Sequence, residues 1–214
     1  AMQRQYSPAD IFIEHADRVL RTLSGQAKTT GRDNPADAAP DTELSEEEAK
    51  LSARLMRVNH AGEVAAQALY QGQALTARNK AVEDKLSQAA EEENDHLAWC
   101  RQRVHELGEQ TSYLDPLWYA GSLAIGATAG LAGDKWSLGF LAETEKQVAE
   151  HIEHHLDSLP DNDQKTRAIL QQMRTDETQH ATTAIEHGGV ALPEPIKQGM
   201  RLVSRLMTKS SFWL

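Results

Sequence analysis

The sequence predicts an all-α protein, an antiparallel four-helix bundle with additional apolar helices, and three observations predict it. Long segments carry apolar residues at helical spacing between capping signals. No stretch sustains a period-2 run of β-branched residues between turn signals, so strands have little support. Two Glu-x-x-His quartets, Glu93-Asn94-Asp95-His96 and Glu177-Thr178-Gln179-His180, sit at matching places in two similar halves of the chain. The 214 residues suit one core rather than two full domains. A composition of 40% hydrophobic and 25% charged residues excludes a collagen-like, low-complexity or wholly disordered chain.

Taken in order, residues 7–23 place Ile11, Phe12, His15, Val19 and Leu23 at helical spacing, with Ser7 as N-cap and Pro8 at the first helical position. Residues 24–43 gather Gly25, Gly31, Asn34, Pro35 and Pro40 among small polar residues, which predicts a mobile linker. The expected division is therefore an N-terminal helix and flexible linker over 1–43 and a main domain over 44–214. Ser45 with Glu48 forms a capping box that opens a long helix running through Leu51, Leu55, Val58, Ala65 and Leu69 toward Ala77. Asn79 breaks it, and a second helix runs from Lys80 to Leu107, stopped by Gly108. Residues 116–133 carry no charge and many Gly and Ala, and glycines 121, 126, 130 and 133 weaken a simple transmembrane helix, so a buried or surface-inserted segment is expected. Helices follow over 138–157 and 164–186, the latter ended by Gly188-Gly189. After Pro193 and Pro195, residues 196–214 form a last amphipathic helix with Lys197, Arg201, Arg205 and Lys209 and a terminal Phe212-Trp213, a combination that suits an interface.

Thirty-two acidic against 22 basic residues give a net charge of −10, which argues against a nucleic-acid partner because phosphate binding needs clustered basic groups. The same acidity is expected where carboxylates gather inward around a cation. Cys100 is the only cysteine, so neither an internal disulfide nor a thiolate zinc cluster is available. Ala1 before Met2 reads as an expression remnant, and neither a secretory signal nor an Arg- and Ser-rich presequence is seen, which points to a reducing compartment and a bacterial setting.

The chemistry is written in the acidic and imidazole spacing. Three helical residues advance the side chain by about 300°, so the Glu and His of each quartet share one face. Glu63 precedes the first quartet's Glu93 by 30 residues and Glu145 precedes Glu177 by 32, each on the preceding helix of a hairpin. Four carboxylates and two imidazoles projected from four antiparallel helices form a ligand set for two metal ions inside a bundle. Four glutamates balance two divalent ions, and oxygen donors with one nitrogen per metal favour iron or manganese over copper or structural zinc. Glu91, Asp95, Glu143 and Glu150 are alternatives for individual ligands. Glu92 and Asp176, directly before the paired glutamates, are candidates to accept hydrogen bonds from the ligating histidines. His60 is expected to support the same face by hydrogen bonding, and Gly62 to leave either a close helix approach or open space beside Glu63. A solvated helix end is expected for His154 and His155.

The stretches RVNHAGEVAAQALYQGQ, EEENDHLAWC, PLWYAGSLAIGATAGLAGDKWS, ETEKQVAEHIEHHL and RTDETQHATTAIEHGG make the chain resemble the demethoxyubiquinone hydroxylases of ubiquinone biosynthesis. These are membrane-associated members of the ferritin-like di-iron carboxylate proteins, and the likeness runs from Leu51 to Leu214. It implies Glu63, Glu93, His96, Glu145, Glu177 and His180 as ligands of two iron ions, with Glu93 and Glu177 bridging. The di-iron centre is then the catalytic group, and His151 lies near the substrate. In many relatives a tyrosine follows that histidine, where this chain has Ile152.

The implied reaction is hydroxylation of a polyprenyl methoxy-methyl-benzoquinol with O2. Electrons come from an external reductant, NADH or the quinone pool, and no dinucleotide-binding fingerprint follows a strand. A lipid-dissolved substrate predicts a monotopic enzyme on the cytoplasmic face of the bacterial inner membrane. Expected partners are the quinol, the membrane surface, and a further copy of the chain or other ubiquinone-biosynthesis proteins. Two other readings stay open at this point: a ferritin-like ferroxidase or peroxide-detoxifying protein, and a metal-free bundle that binds a lipid or a partner.

Overall fold

The computed structural model describes residues 7–214, apart from the side chains of residues 8, 9, 11, 12, 14 and 15. The sequence expectations for Ile11, Phe12 and His15 side chains, and for Ala1 and Met2, lie outside the described residues. Seven α-helices and no strand occur among the described residues. They are α1 (Pro8–Ser24), α2 (Glu46–Thr76), α3 (Lys80–Glu106), α4 (Asp115–Leu131), α5 (Asp134–Ser158), α6 (Gln164–Glu186) and α7 (Glu194–Ser211), with a 3₁₀ turn over Pro35–Ala38.

The helix starts follow the capping chemistry. Ser7 and Ser45 each accept from the third helical backbone N–H while Asp10 and Glu48 reach back, satisfying donors that a helix start would leave orphaned. Asn79 and Asp163 cap α3 and α6 in the simpler way, accepting from Ala81 and Thr166. Helix α5 starts a turn before the expected Leu138, because Gly133 turns the chain with φ 111°, a value only glycine adopts cheaply. Helix α7 takes in Pro195, which sequence reasoning placed before the helix; a first-turn proline has no backbone donor to waste.

Helices α2, α3, α5 and α6 form the four-helix bundle, and α4 crosses α2 on its outside. The core lies in bands around the bundle axis. One holds Met56, Trp99, Cys100, Ile152, Ile169 and Met173, and another holds Tyr70, Leu86, Leu141 and Ala184. Between these apolar bands lies a polar layer in which Glu63, Glu93, His96, Glu145 and Glu177 are all at most 2% exposed. Such a layer would destabilise the bundle unless its charges were neutralised or paired.

Helix α4 approaches α2 so closely that small residues are required at the crossing. A Cβ on Gly126 would stand 2.1 Å from the Leu69 carbonyl oxygen, and one on Gly72 would stand 2.3 Å from that of Leu123. Both obstacles are backbone and cannot swing away. Gly121, in the same helix, faces open space. Gly126→Ala is therefore expected to destabilise the protein by about 1–3 kcal/mol through overpacking. Gly121→Ala is expected to stabilise it by up to about 1 kcal/mol through helix propensity. Opposite shifts of the urea midpoint for these two one-methyl changes would check the contact.

The segment expected to be a mobile linker is instead held against α3 and α6. Asn34 caps the 3₁₀ turn and donates to Gln102, Ala36 is buried in the core, and Asp41 pairs with Lys165. The Thr42 hydroxyl donates to the carbonyl of Asn162, whose amide donates to the carbonyl of Glu43. These are long-range contacts that local composition does not announce.

Candidate metal centre

Each bundle helix contributes to one buried cluster at mid-height: Glu63 from α2, Glu93 and His96 from α3, Glu145 from α5, and Glu177 and His180 from α6. Two sets of potential ligand atoms form, Glu63, Glu93, His96 and Glu177, and Glu93, Glu145, Glu177 and His180, each with all its atoms within 4.8 Å of one another. Glu93 and Glu177 belong to both sets.

The shared carboxylates send one oxygen to each side. His96 Nδ1 lies 3.0 Å from Glu93 Oε2 and 3.0 Å from Glu177 Oε1, with Glu63 Oε2 at 3.8 Å. His180 Nδ1 lies 3.6 Å from Glu93 Oε1, 3.4 Å from Glu177 Oε2 and 3.4 Å from Glu145 Oε1. Yet Glu93 Oε1, Glu145 Oε1, both Glu177 oxygens and His180 Nδ1 are buried without a properly directed hydrogen bond. Donors that are gathered but aimed past one another converge on common points between them, which is the arrangement a pair of cations requires. Two divalent ions would also match the four carboxylates in charge, and the oxygen-rich donor set with one imidazole per side suits iron or manganese. The residues present fit the group.

The protonation preferences agree. Burial, then the neighbouring Glu93, pushes the Glu63 carboxyl well above its ordinary range, and burial with Glu177 does the same to Glu145. Glu177 is held below the usual range despite burial, by Glu145 and the two imidazoles. Burial disfavours a charged His96, but Glu93, Asp176 and Glu177 raise its pKa well above normal; His180 is raised in the same way by Glu145, Glu177 and Glu92. Divalent cations bound here would displace the protons that Glu63, Glu145, His96 and His180 hold in their absence.

Outside this inner set, the pairs are crossed. Asp176, next to Glu177, contacts His96 Nε2 at 2.9 Å, and Glu92, next to Glu93, contacts His180 Nε2 at 2.6 Å. Each carboxylate thus turns its histidine so that Nδ1 faces the cluster.

His60 does not support this face. Its ring is fully buried, with Nδ1 3.2 Å from Asp115 Oδ2, and burial lowers its pKa. It faces the start of α4, because α4 crosses there and presents an acid, although neither ring nitrogen makes a properly directed hydrogen bond. The alternative ligands also fall away. Asp95 turns toward Thr30 and Arg32, Glu143 pairs with Lys197 across to α7, Glu150 lies near Lys146 on the surface, and Glu91 is exposed. His154 is exposed as expected, but His155 is buried against Asn59, at 3.2 Å, and its ring packs edge-on to His151 at 4.0 Å. Burial lowers the pKa of His151 to about 4 and of His155 to about 3, so both are neutral near pH 7.

Tyr70 was missed by sequence reasoning. It is fully buried beside the carboxylates, and burial, then the charge of Glu145, pushes its phenol well up, so it stays protonated. Its position two helical turns after Glu63 was the available signal.

An apolar cavity of about 250 Å³ leads to Glu63 between α2, α4, α5 and α7. Gly62, Trp118, Phe140, His151, Met200 and Val203 help line it. Space beside Gly62 is open, with nothing within 4 Å of where a Cβ would stand. The buried His151 Nε2 has no hydrogen-bond partner among the described residues. Ile125 and Phe140 also border an outer apolar groove of about 590 Å³, lined further by Ala129, Trp136, Leu192 and Ile196.

Comparison with known proteins agrees with this architecture. The family profile described as ubiquinone biosynthesis protein COQ7 matches residues 50–211. A 3-demethoxyubiquinol 3-hydroxylase of Nitrosococcus oceani is 57% identical over 211 residues, covering 99% of both chains. Proteins of the same name from Stutzerimonas stutzeri and Nitrosospira multiformis are each 56% identical, covering 98% and 96% of this chain and 98% of each relative. A full-length likeness of this degree, on a helical bundle whose buried carboxylates and imidazoles converge, shows that the chain belongs to the COQ7 family of ubiquinone biosynthesis proteins.

Proposed function

We infer that the chain hydroxylates 3-demethoxyubiquinol at ring position 3, using two iron ions held by Glu63, Glu93, His96, Glu145, Glu177 and His180. The activity is that of an oxidoreductase of ubiquinone biosynthesis, as the names of its full-length relatives state. O2 is the co-substrate, and electrons come from outside the chain, from NADH or the quinone pool. The observation that carries the di-iron reading is the division of Glu93 and Glu177, each offering one oxygen to either side. Iron held there would supply the redox and O2-binding chemistry, with two electrons and two protons from the external reductant allowing one oxygen atom of O2 to go to the ring and the other to leave as water.

The protein's own residues set the geometry. The cavity opens onto Glu63, where the quinol ring would sit, and its apolar walls would exclude water and so strengthen every electrostatic contact inside. Neutral His151 presents Nε2 to a ring oxygen as the polar anchor, while His155, bonded to Asn59, fixes the His151 ring from behind. Asp176 and Glu92 keep the two metal-facing imidazole nitrogens in place. Incubating the iron-loaded protein with a short-tail demethoxyquinol, reductant and labelled O2 tests this. A product heavier by one labelled oxygen supports it, and iron oxidation without that product would mark a ferroxidase.

The prenyl tail gives the outer apolar surface a use. Exposing each CH₂ to water costs about 0.8 kcal/mol, so a tail that stays in lipid favours a site brought to the membrane. Leu117, Ile125 and Leu131 on α4 and Leu202, Val203 and Leu206 on α7 are exposed, with Trp213 just beyond. No helix among the described residues is long and apolar enough to cross a membrane. The expected basic face of α7 is partly turned inward, since Lys197 and Arg201 lie near Glu143. We place the chain on the cytoplasmic face of the bacterial inner membrane, resting on its α4 and α7 surface. A Leu202→Glu/Leu206→Glu variant is expected to bind phospholipid vesicles at least ~10-fold more weakly in flotation assays, through the loss of two exposed leucines that would enter the lipid. Its turnover of a short-tail quinol in solution should be unchanged.

A further inference from the structure

The segment before α2 reaches the metal centre from behind, and all of it lies outside the residues matched by the family profile. Thr30 donates its backbone N–H at 2.8 Å, and also its hydroxyl, to fully buried Asp95, and Arg32 Nε donates to the same carboxylate at 2.8 Å. Asn94 donates to the Lys28 carbonyl at 2.9 Å. The other end of the Arg32 guanidinium crosses to α6, where Nη1 donates to Asp176 Oδ2 at 2.7 Å. Its carbon lies 4.9 Å from the centre of the Trp99 ring, and Nη2 is 3.4 Å from His96 Nε2. One side chain therefore spans the two helices that carry the Glu-x-x-His quartets.

The two histidines are not supported alike. Asp176 Oδ2 serves both His96 and Arg32, whereas Glu92 receives His180 on one oxygen and the neutral amide of Gln88, at 2.9 Å, on the other. A carboxylate oxygen already bonded to a guanidinium is a weaker acceptor for the histidine N–H, which leaves the opposite ring nitrogen a poorer donor to a metal. The guanidinium charge also repels a cation on that side. Gln172 bonds Asp176 Oδ1 at 2.8 Å, so Asp176 keeps a second anchor besides Arg32.

We propose that Arg32 is a positioning residue that acts through Asp176 and makes the two metal positions unequal, the one beside His96 binding more weakly than the one beside His180. This rests on the six-donor reading above. Anaerobic Fe(II) titration of the full chain tests it, with amide exchange over residues 28–43 recorded in parallel. The wild type is expected to show two dissociation constants at least ~10-fold apart, the size that outer-sphere partners produce. Arg32→Gln should close the gap to less than about 3-fold by tightening the weaker position and leaving the stronger one unchanged. Arg32→Lys, which keeps the charge, should retain the gap.

Equal constants in the wild type, a parallel loss at both positions in Arg32→Gln, or a gap that both variants close alike would overturn the proposal. The last result would trace the effect to docking of the segment, seen as lost amide protection over 28–43, rather than to the charge. Binding of no iron at all would instead sink the six-donor reading, so the two failures are distinguishable.

Discussion

Glu177→Ala is expected to lower both iron retention and quinol hydroxylation by more than ~100-fold, beyond the roughly 10–100-fold typical of changes one shell further out. Glu177 lies against both imidazoles and belongs to both candidate metal sites, so its loss unmakes two positions at once. The substitution also removes a buried carboxylate from a layer rich in like charge. That relief is outweighed by the loss of the anion held against both imidazoles, so the iron-free variant should still fold but with lower stability than the wild type. Iron content after gel filtration, read beside circular dichroism, checks both halves. Retention of two ions per chain by a folded Glu177→Ala protein would move the ligand set elsewhere.

Gly62→Leu is expected to separate stability from function in the opposite sense. A mid-helix glycine costs about 1 kcal/mol relative to a good helix former, and nothing stands within 4 Å of a Cβ added here. The variant should unfold at higher urea. The same side chain, however, enters the cavity beside Glu63 where the quinol ring is placed. A drop in kcat/KM of about 100-fold, near 2.7 kcal/mol of transition-state binding, is the expected cost, with iron content unchanged. A variant that is more stable and fully active would show that the ring enters by another route.

These effects trace back to what the sequence discloses and what it hides. Helix starts at Ser7 and Ser45 are legible because a capping box is confined to four residues. The gathering of the two quartets is legible for a similar reason, since a three-residue spacing fixes a shared helical face before any tertiary contact forms. Partners set by long-range packing are not legible in this way. The segment of residues 28–43 has the composition of a loop, and its order comes from buried Asp95, Gln102 and Lys165, all distant in sequence. His60 lies three residues from Glu63, but the crossing of α4 decides its partner, Asp115. His155 reads as a surface residue until Asn59 from α2 meets it.

The central claim is that six donors on four helices hold two metal ions close enough to act together, and Mössbauer spectroscopy of the anaerobic protein loaded with iron-57 tests it most directly. Two iron ions per chain, magnetically coupled through the carboxylates of Glu93 and Glu177, are the expected result. One ion per chain, or two that behave as isolated centres, would contradict it.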